Sequence, residues 1–177
     1  MLRSLPNLLL LPALLGLLAS GCDGTAPPRP PTFTKSTSQP GGEALRLQGR
    51  VNDAAGLLPG DVERRLDSRL AALEAATGHQ LVVVTVASLG EEDIADYTLY
   101  LGRRWKIGRK GHNDGVIVLV APKERRVRIE VGSGLEKTLT DPFCREVIVR
   151  DMLPRFKRND FSGGLEQGVD SLIARLT

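Results

Sequence analysis

The sequence predicts an α/β domain, a three-layer α/β/α sandwich around a small mixed β-sheet. Three observations predict it. The runs HQLVVVTVASL (residues 79–89) and GVIVLVAP (residues 115–122) are apolar, β-branched and short. Such runs suit strands buried on both faces. Between them, apolar residues recur at helical spacing, so a strand-helix-strand unit forms, with a parallel pair and a right-handed crossover. Then RVRIEVG (residues 126–132) alternates strictly after a charged turn, KERR. That is a strand solvated on one side and antiparallel to its neighbour. Helices should cover both faces of the sheet.

The elements follow in order. Val62, Leu66, Leu70 and Leu73 recur at spacings of four, four and three, one face of a helix. Asp61 can cap it, or Pro59 can occupy its first turn, and Gly78 suits the left-handed position after its end. The first apolar strand follows. Glu91, Glu92 and Asp93 open a second helix, where negative charge suits the positive end of the dipole. Its inward face is Ile94, Tyr97, Leu101 and Trp105, and Gly108 ends it. After the two remaining strands, Asp141-Pro142 reads as an N-cap followed by proline in the first turn. That helix runs through Phe143, Val147 and Ile148 towards Pro154. A last helix carries Phe161, Leu165, Val169, Leu172 and Leu176.

Composition agrees with a globular domain: 25% charged and 41% hydrophobic residues. Aromatics are only 4%, so Val, Leu, Ile and Ala must build the core. The formal net charge of +3 is mild, and nucleic acid is not an expected partner. Arg3 precedes an apolar run, Leu5 to Leu18, and then Ala19-Ser20-Gly21. The run is short for a membrane span and has the flanks of a secretory signal. Cys22 follows, as in the lipobox of bacterial lipoproteins, which it resembles. Residues 1–21 are therefore expected to be a lipoprotein-type signal peptide and Cys22 the lipidated residue. The resemblance places the protein at the cell membrane through its lipid, facing the periplasm or the exterior. Asp23 resembles an inner-membrane retention signal. Residues 22–44 are rich in Pro, Ser and Thr and have no hydrophobic period, as expected of a disordered tether. The domain is expected over residues 45–177.

The segments VNDAAGLL, LEAATGHQLVVVTVASL, Asp96-Tyr97, Trp105 to Gly108, NDGVIVLVA, RIEVGSGLE and PRF…DFSGGLEQGV carry a resemblance. In this order and spacing the chain from Val51 to Leu176 resembles the TPM domain. That domain occurs in bacterial membrane-associated proteins and in thylakoid-lumen proteins linked to photosystem II repair. The resemblance implies an α/β/α fold, in agreement with the residues themselves. It also implies a binding, assembly or repair role at the membrane with an envelope protein partner. Acid phosphatase activity and divalent-cation binding are attributed to some members. A metal-dependent acid phosphatase is accordingly the alternative function, with calcium or magnesium as the implied cofactor. Leu58 and Lys137 depart from the family pattern, which has a capping Ser and a Gly there.

Candidate sites follow from residue types. Gly132-Ser133-Gly134 follows a strand, as a phosphate loop would. A dinucleotide fingerprint needs a third glycine where Lys137 stands, and a helix start behind it. The glycines are therefore expected to permit a turn or close backbone packing, with an anion or other ligand as the alternative. Asp53, Asp114 and Glu136 are loop carboxylates of the kind that bind hard cations, or that cap helices and pin turns. Asp53 is expected near the exit of a first strand, with Asp114 and Glu136 at the opposite edge of the sheet. No C-x5-R loop and no D-x-D motif after a strand is read in the chain. His79 and His112 are isolated, and Thr85, Ser88 and Ser133 have no base nearby in sequence. Cys144, beside Phe143, reads as core. Arg103, Arg104, Lys106, Arg109 and Lys110 form a basic stretch, read as a solvated helix end, with anionic headgroups as the alternative.

Overall fold

The computed structural model describes residues 45–177. The expected signal peptide, Cys22 and the expected tether to residue 44 lie outside the described residues. The chain builds β1 (Val51–Asp53), α1 (Gly60–Thr77), β2 (Gln80–Thr85), α2 (Ile94–Trp105), β3 (Gly115–Ala121) and β4 (Arg126–Val131). Then come α3 (Asp141–Glu146), a π-helical stretch (Val147–Met152), α4 (Leu153–Phe156) and α5 (Phe161–Leu176). The strand order is β1-β2-β3-β4. β1, β2 and β3 are parallel, and β4 runs antiparallel to β3, with Val118 opposite Ile129.

The two apolar runs became the inner strands for the expected reason: both faces of each are covered. On one face Val82, Val84, Ile117 and Leu119 pack with Leu101 of α2, beside Ile94, Tyr97 and Trp105. On the other, Leu81, Val83, Val116 and Val118 pack against α1, α3 and α5. The alternation of β4 resolves the same way: Ile129 joins the α1/α5 face, with Val127 and Val131 packed beside it. The result is the three-layer sandwich. β1 has three residues, too few for a period, and exists through its pairing with β2.

Several boundaries moved by a few residues. α1 begins at Gly60, and the carbonyl of Pro59 accepts from the amides of Val62 and Glu63. Asp61 is not its cap; its carboxylate accepts from Arg65 at 2.5 Å. Gly78 does close α1 in the left-handed conformation, φ 77°. Glu91 and Glu92 fall outside α2. Asp93 is its cap and accepts from the Ala95 amide at 2.8 Å. Lys106, at φ 55°, ends α2 two residues before Gly108. At α3 the cap is the Thr140 hydroxyl, and Asp141 is the first helical residue.

The helix through Val147 does not stop at Pro154. Proline has no amide with which to reach the carbonyl four residues back. The backbone widens instead: Leu153 N–H donates to the Ile148 carbonyl, a π-type bond, and the chain continues as α4. α5 crosses close by because it is glycine there. A Cβ at Gly164 would collide with the Phe156 ring, and one at Gly168 with the Met152 side chain.

Candidate functional site

Parallel strands bring their C-terminal ends to one side, where open α/β sheets bind ligands. Asp53 ends β1 on this side. Its carboxylate accepts from the amides of Leu57 at 3.1 Å and Leu58 at 2.8 Å, and from the Thr85 hydroxyl. The Thr85 oxygen in turn accepts from the Ala55 amide at 3.0 Å. Asp53 thus ties the loop after β1 to the end of β2.

Asp114 lies at the other end of the sheet. It precedes an inner strand, β3, and so is not at an edge. It is buried and accepts from the Arg109 amide and Nε, both at 2.7 Å, and from Arg109 Nη2 at 2.5 Å. His79 Nδ1 is 3.3 Å away. Burial works against its charge, but these bonds outweigh it and hold the carboxyl at about 2. Glu136 is exposed beyond β4. The three carboxylates do not converge. Among the described residues no group of three or more His, Cys, Asp or Glu side chains could hold one ion.

Gly132 and Gly134 pack against backbone. Their amides donate to the carbonyls of Gly115 at 2.8 Å and Asn113 at 3.0 Å. A Cβ on either would run into the carbonyls of Asn113 or His112. Those two amides are therefore spent inside the fold, no helix starts behind them, and Ser133 is exposed between them. His112 is exposed as well.

Cys144 and Arg150 do have the C-x5-R spacing. The segment is helical, however, and not a loop. Cys144 is buried, and burial pushes its thiol up to about 11, the opposite of a reactive thiolate. Arg150 turns outward to Glu146 at 2.6 Å and Asp151 at 2.8 Å. Ser88 donates to Glu124 at 2.6 Å and accepts from the Gly90 amide at 3.0 Å, so its hydroxyl is also committed.

Two hollows lie along β4. The first, about 500 Å³, opens beyond the C-terminal end of β3, between the β3–β4 turn and α4/α5. Val120, Val127, Leu153, Phe156 and Phe161 form its apolar walls. Arg125, Arg126 and Lys157 line it as well. Arg126 reaches Asp93 at 3.4 Å, while Arg125 and Lys157 have no ion-pair partner among the described residues. Sequence reasoning missed this cleft. Its only signals were the KERR turn and the paired Phe156 and Phe161, whose rings sit 5.2 Å apart. The second hollow, about 440 Å³, is polar and gathers Glu130, Glu136 and Asp141 with Arg128 and Thr140. Arg128 is already bonded to Glu130 at 2.6 Å.

Solved structures with this fold are known. The N-terminal domain of a protein from P. gingivalis is 35% identical, with a TM-score of 0.68, over 72% of this chain and 81% of that one. The N-terminal domain of the cg2496 protein from Corynebacterium glutamicum is 17% identical (TM-score 0.58, 75% and 82% covered). The BA42 protein from Bizionia argentinensis is 20% identical (TM-score 0.58, 67% and 81% covered). No curated protein matches the chain. The family model described as TPM domain, TPM_phosphatase, matches residues 51–175. With its helices on both faces of a β1-β2-β3-β4 sheet and its core elements inside that match, this chain belongs to the TPM-domain family.

Proposed function

We propose that the protein is a cell-envelope lipoprotein whose TPM domain is a binding or assembly module at the membrane and not an enzyme. The cleft beside the β3–β4 turn carries this reading. Its volume is that of a ligand site, its walls accept an apolar side chain, and its cations favour acidic groups next to it. The partner it suits is an acidic segment of an envelope protein. The groups that would otherwise suggest chemistry hold the fold instead: Asp53 pins a loop, Asp114 binds Arg109, and Ser88 binds Glu124. The Leu5–Leu18 run, the small residues after it and Cys22 support the anchor.

The test is a pulldown from solubilised membranes with the native chain and with a chain carrying Arg125→Glu and Lys157→Glu. A specific protein retained by the first and lost by the second is expected. Equal recovery, or none, would sink the reading. The alternative is a cation-dependent phosphatase, which the family label TPM_phosphatase suggests. Phosphate release from varied phosphoesters with calcium or magnesium, lost in Glu136→Gln, would establish it in place of the binding role.

A further inference from the structure

β4 is an edge strand: β3 pairs with one side, and no strand of the described residues pairs with the other. The Gly132 amide donates to the Gly115 carbonyl, and Val131 stands opposite Val116. Antiparallel pairs alternate between bonded and non-bonded residues. Arg126, Arg128 and Glu130 therefore turn their backbone groups to β3, and Val127, Ile129 and Val131 turn theirs outward. Those outward amides and carbonyls have no partner among the described residues. A polar hollow runs along Arg128, Ile129, Glu130 and Val131, with Glu136, Thr140, Asp141 and Pro142 also lining it.

We propose that β4 pairs antiparallel with β4 of a second copy of this chain, about a two-fold axis at Ile129. This inference goes beyond the proposed function and stands without it. In that register Ile129 opposes itself, Val127 opposes Val131, and Arg128 opposes Glu130. The outward-facing residues then meet as bonded pairs. The dimer then holds two Arg128–Glu130 pairs, one from each direction, in the close, non-bonded positions. A slip of two residues one way sets Arg128 against Arg128, and the other way Glu130 against Glu130. Like charges directly opposite are destabilising, so charge selects the register. The arrangement is isologous and closed. It joins two four-stranded sheets into one. A strip of one strand is smaller than a standard interface, so the dimer depends on concentration.

The test uses differently tagged full chains in detergent. Arg128→Cys mixed with Glu130→Cys should form a disulfide heterodimer several-fold above either alone. Opposed non-bonded residues lie about 4.5 Å apart at Cα, within disulfide reach. The unsubstituted chain reads the background from Cys22 and Cys144. In sedimentation velocity, Arg128→Glu and Glu130→Arg should each lose the dimer, and the two mixed should regain it as a heterodimer. Circular dichroism verifies folding of each variant. The mixture regains pairing between copies while the Arg128–Glu130 bond within each copy stays broken, so a purely structural role would not produce it. Equal cross-linking in every sample, a single-copy mass at the highest concentration, or no recovery on mixing would overturn the proposal. So would a monomer whose β4 captures a different polypeptide.

Discussion

Asp114 is the residue whose chemistry is most tightly set by its neighbours. Its carboxyl sits at about 2 in the folded chain, below its ordinary 3.8. The stability this contributes is fully present above the ordinary value and is lost as pH falls through the folded one. Asp114→Asn should therefore cost about 2 kcal/mol at pH 7. The gap between variant and native chain should close between about pH 4 and pH 2. Urea unfolding across that range checks it, and a gap that does not change with pH contradicts it. The sequence marked Asp114 as a loop carboxylate. Arg109, five residues away, could be suspected as its partner, but His79, thirty-five residues earlier, could not. That contact depends on β2 and β3 starting side by side, which is a fact of pairing and not of spacing.

At the scale of elements, α5 illustrates what period reading can and cannot deliver. Its apolar stripe of Leu165, Val169 and Leu172 is buried as spacing implied. Its glycines carried only a family signature until α4 and the π-helical stretch were placed against them. Both positions resist a side chain, but unequally. At Gly168 the obstacle is the flexible end of Met152. At Gly164 it is the Phe156 ring, packed on Phe161, with the Met152 carbonyl behind it at 3.2 Å. Gly164→Ala should therefore destabilise by about 1–3 kcal/mol, and Gly168→Ala by less. Thermal melts of the two variants rank them, and the reverse order would refute the packing argument. Element ends were read less well than element faces. The caps at Asp93 and Thr140 and the widened turn before Pro154 are settled by hydrogen bonds of single groups. Several neighbouring residues could have supplied those bonds.

At the scale of the whole molecule, the anchor and the domain make separate predictions. If Cys22 carries the lipid, Cys22→Ala should move the protein from the membrane to the soluble fraction without changing the domain's melting temperature. Fractionation with a blot checks it, and unchanged partitioning refutes the anchor. The three-layer architecture, the central strands and the shared face of Val127, Ile129 and Val131 were legible in the chain. They follow from burial, which acts on each residue at a local period of two or 3.6. The cleft walled by Val120, Leu153 and Phe161, the committed amides of Gly132 and Gly134, and the burial of Asp114 against Arg109 and His79 were decided by tertiary structure alone. Each depends on residues far apart in sequence meeting at one end of a sheet, and no local pattern encodes which ends meet. Close backbone packing was expected of the Gly-Ser-Gly glycines from the chain, but only the tertiary structure names the carbonyls of Gly115 and Asn113 as what they pack against.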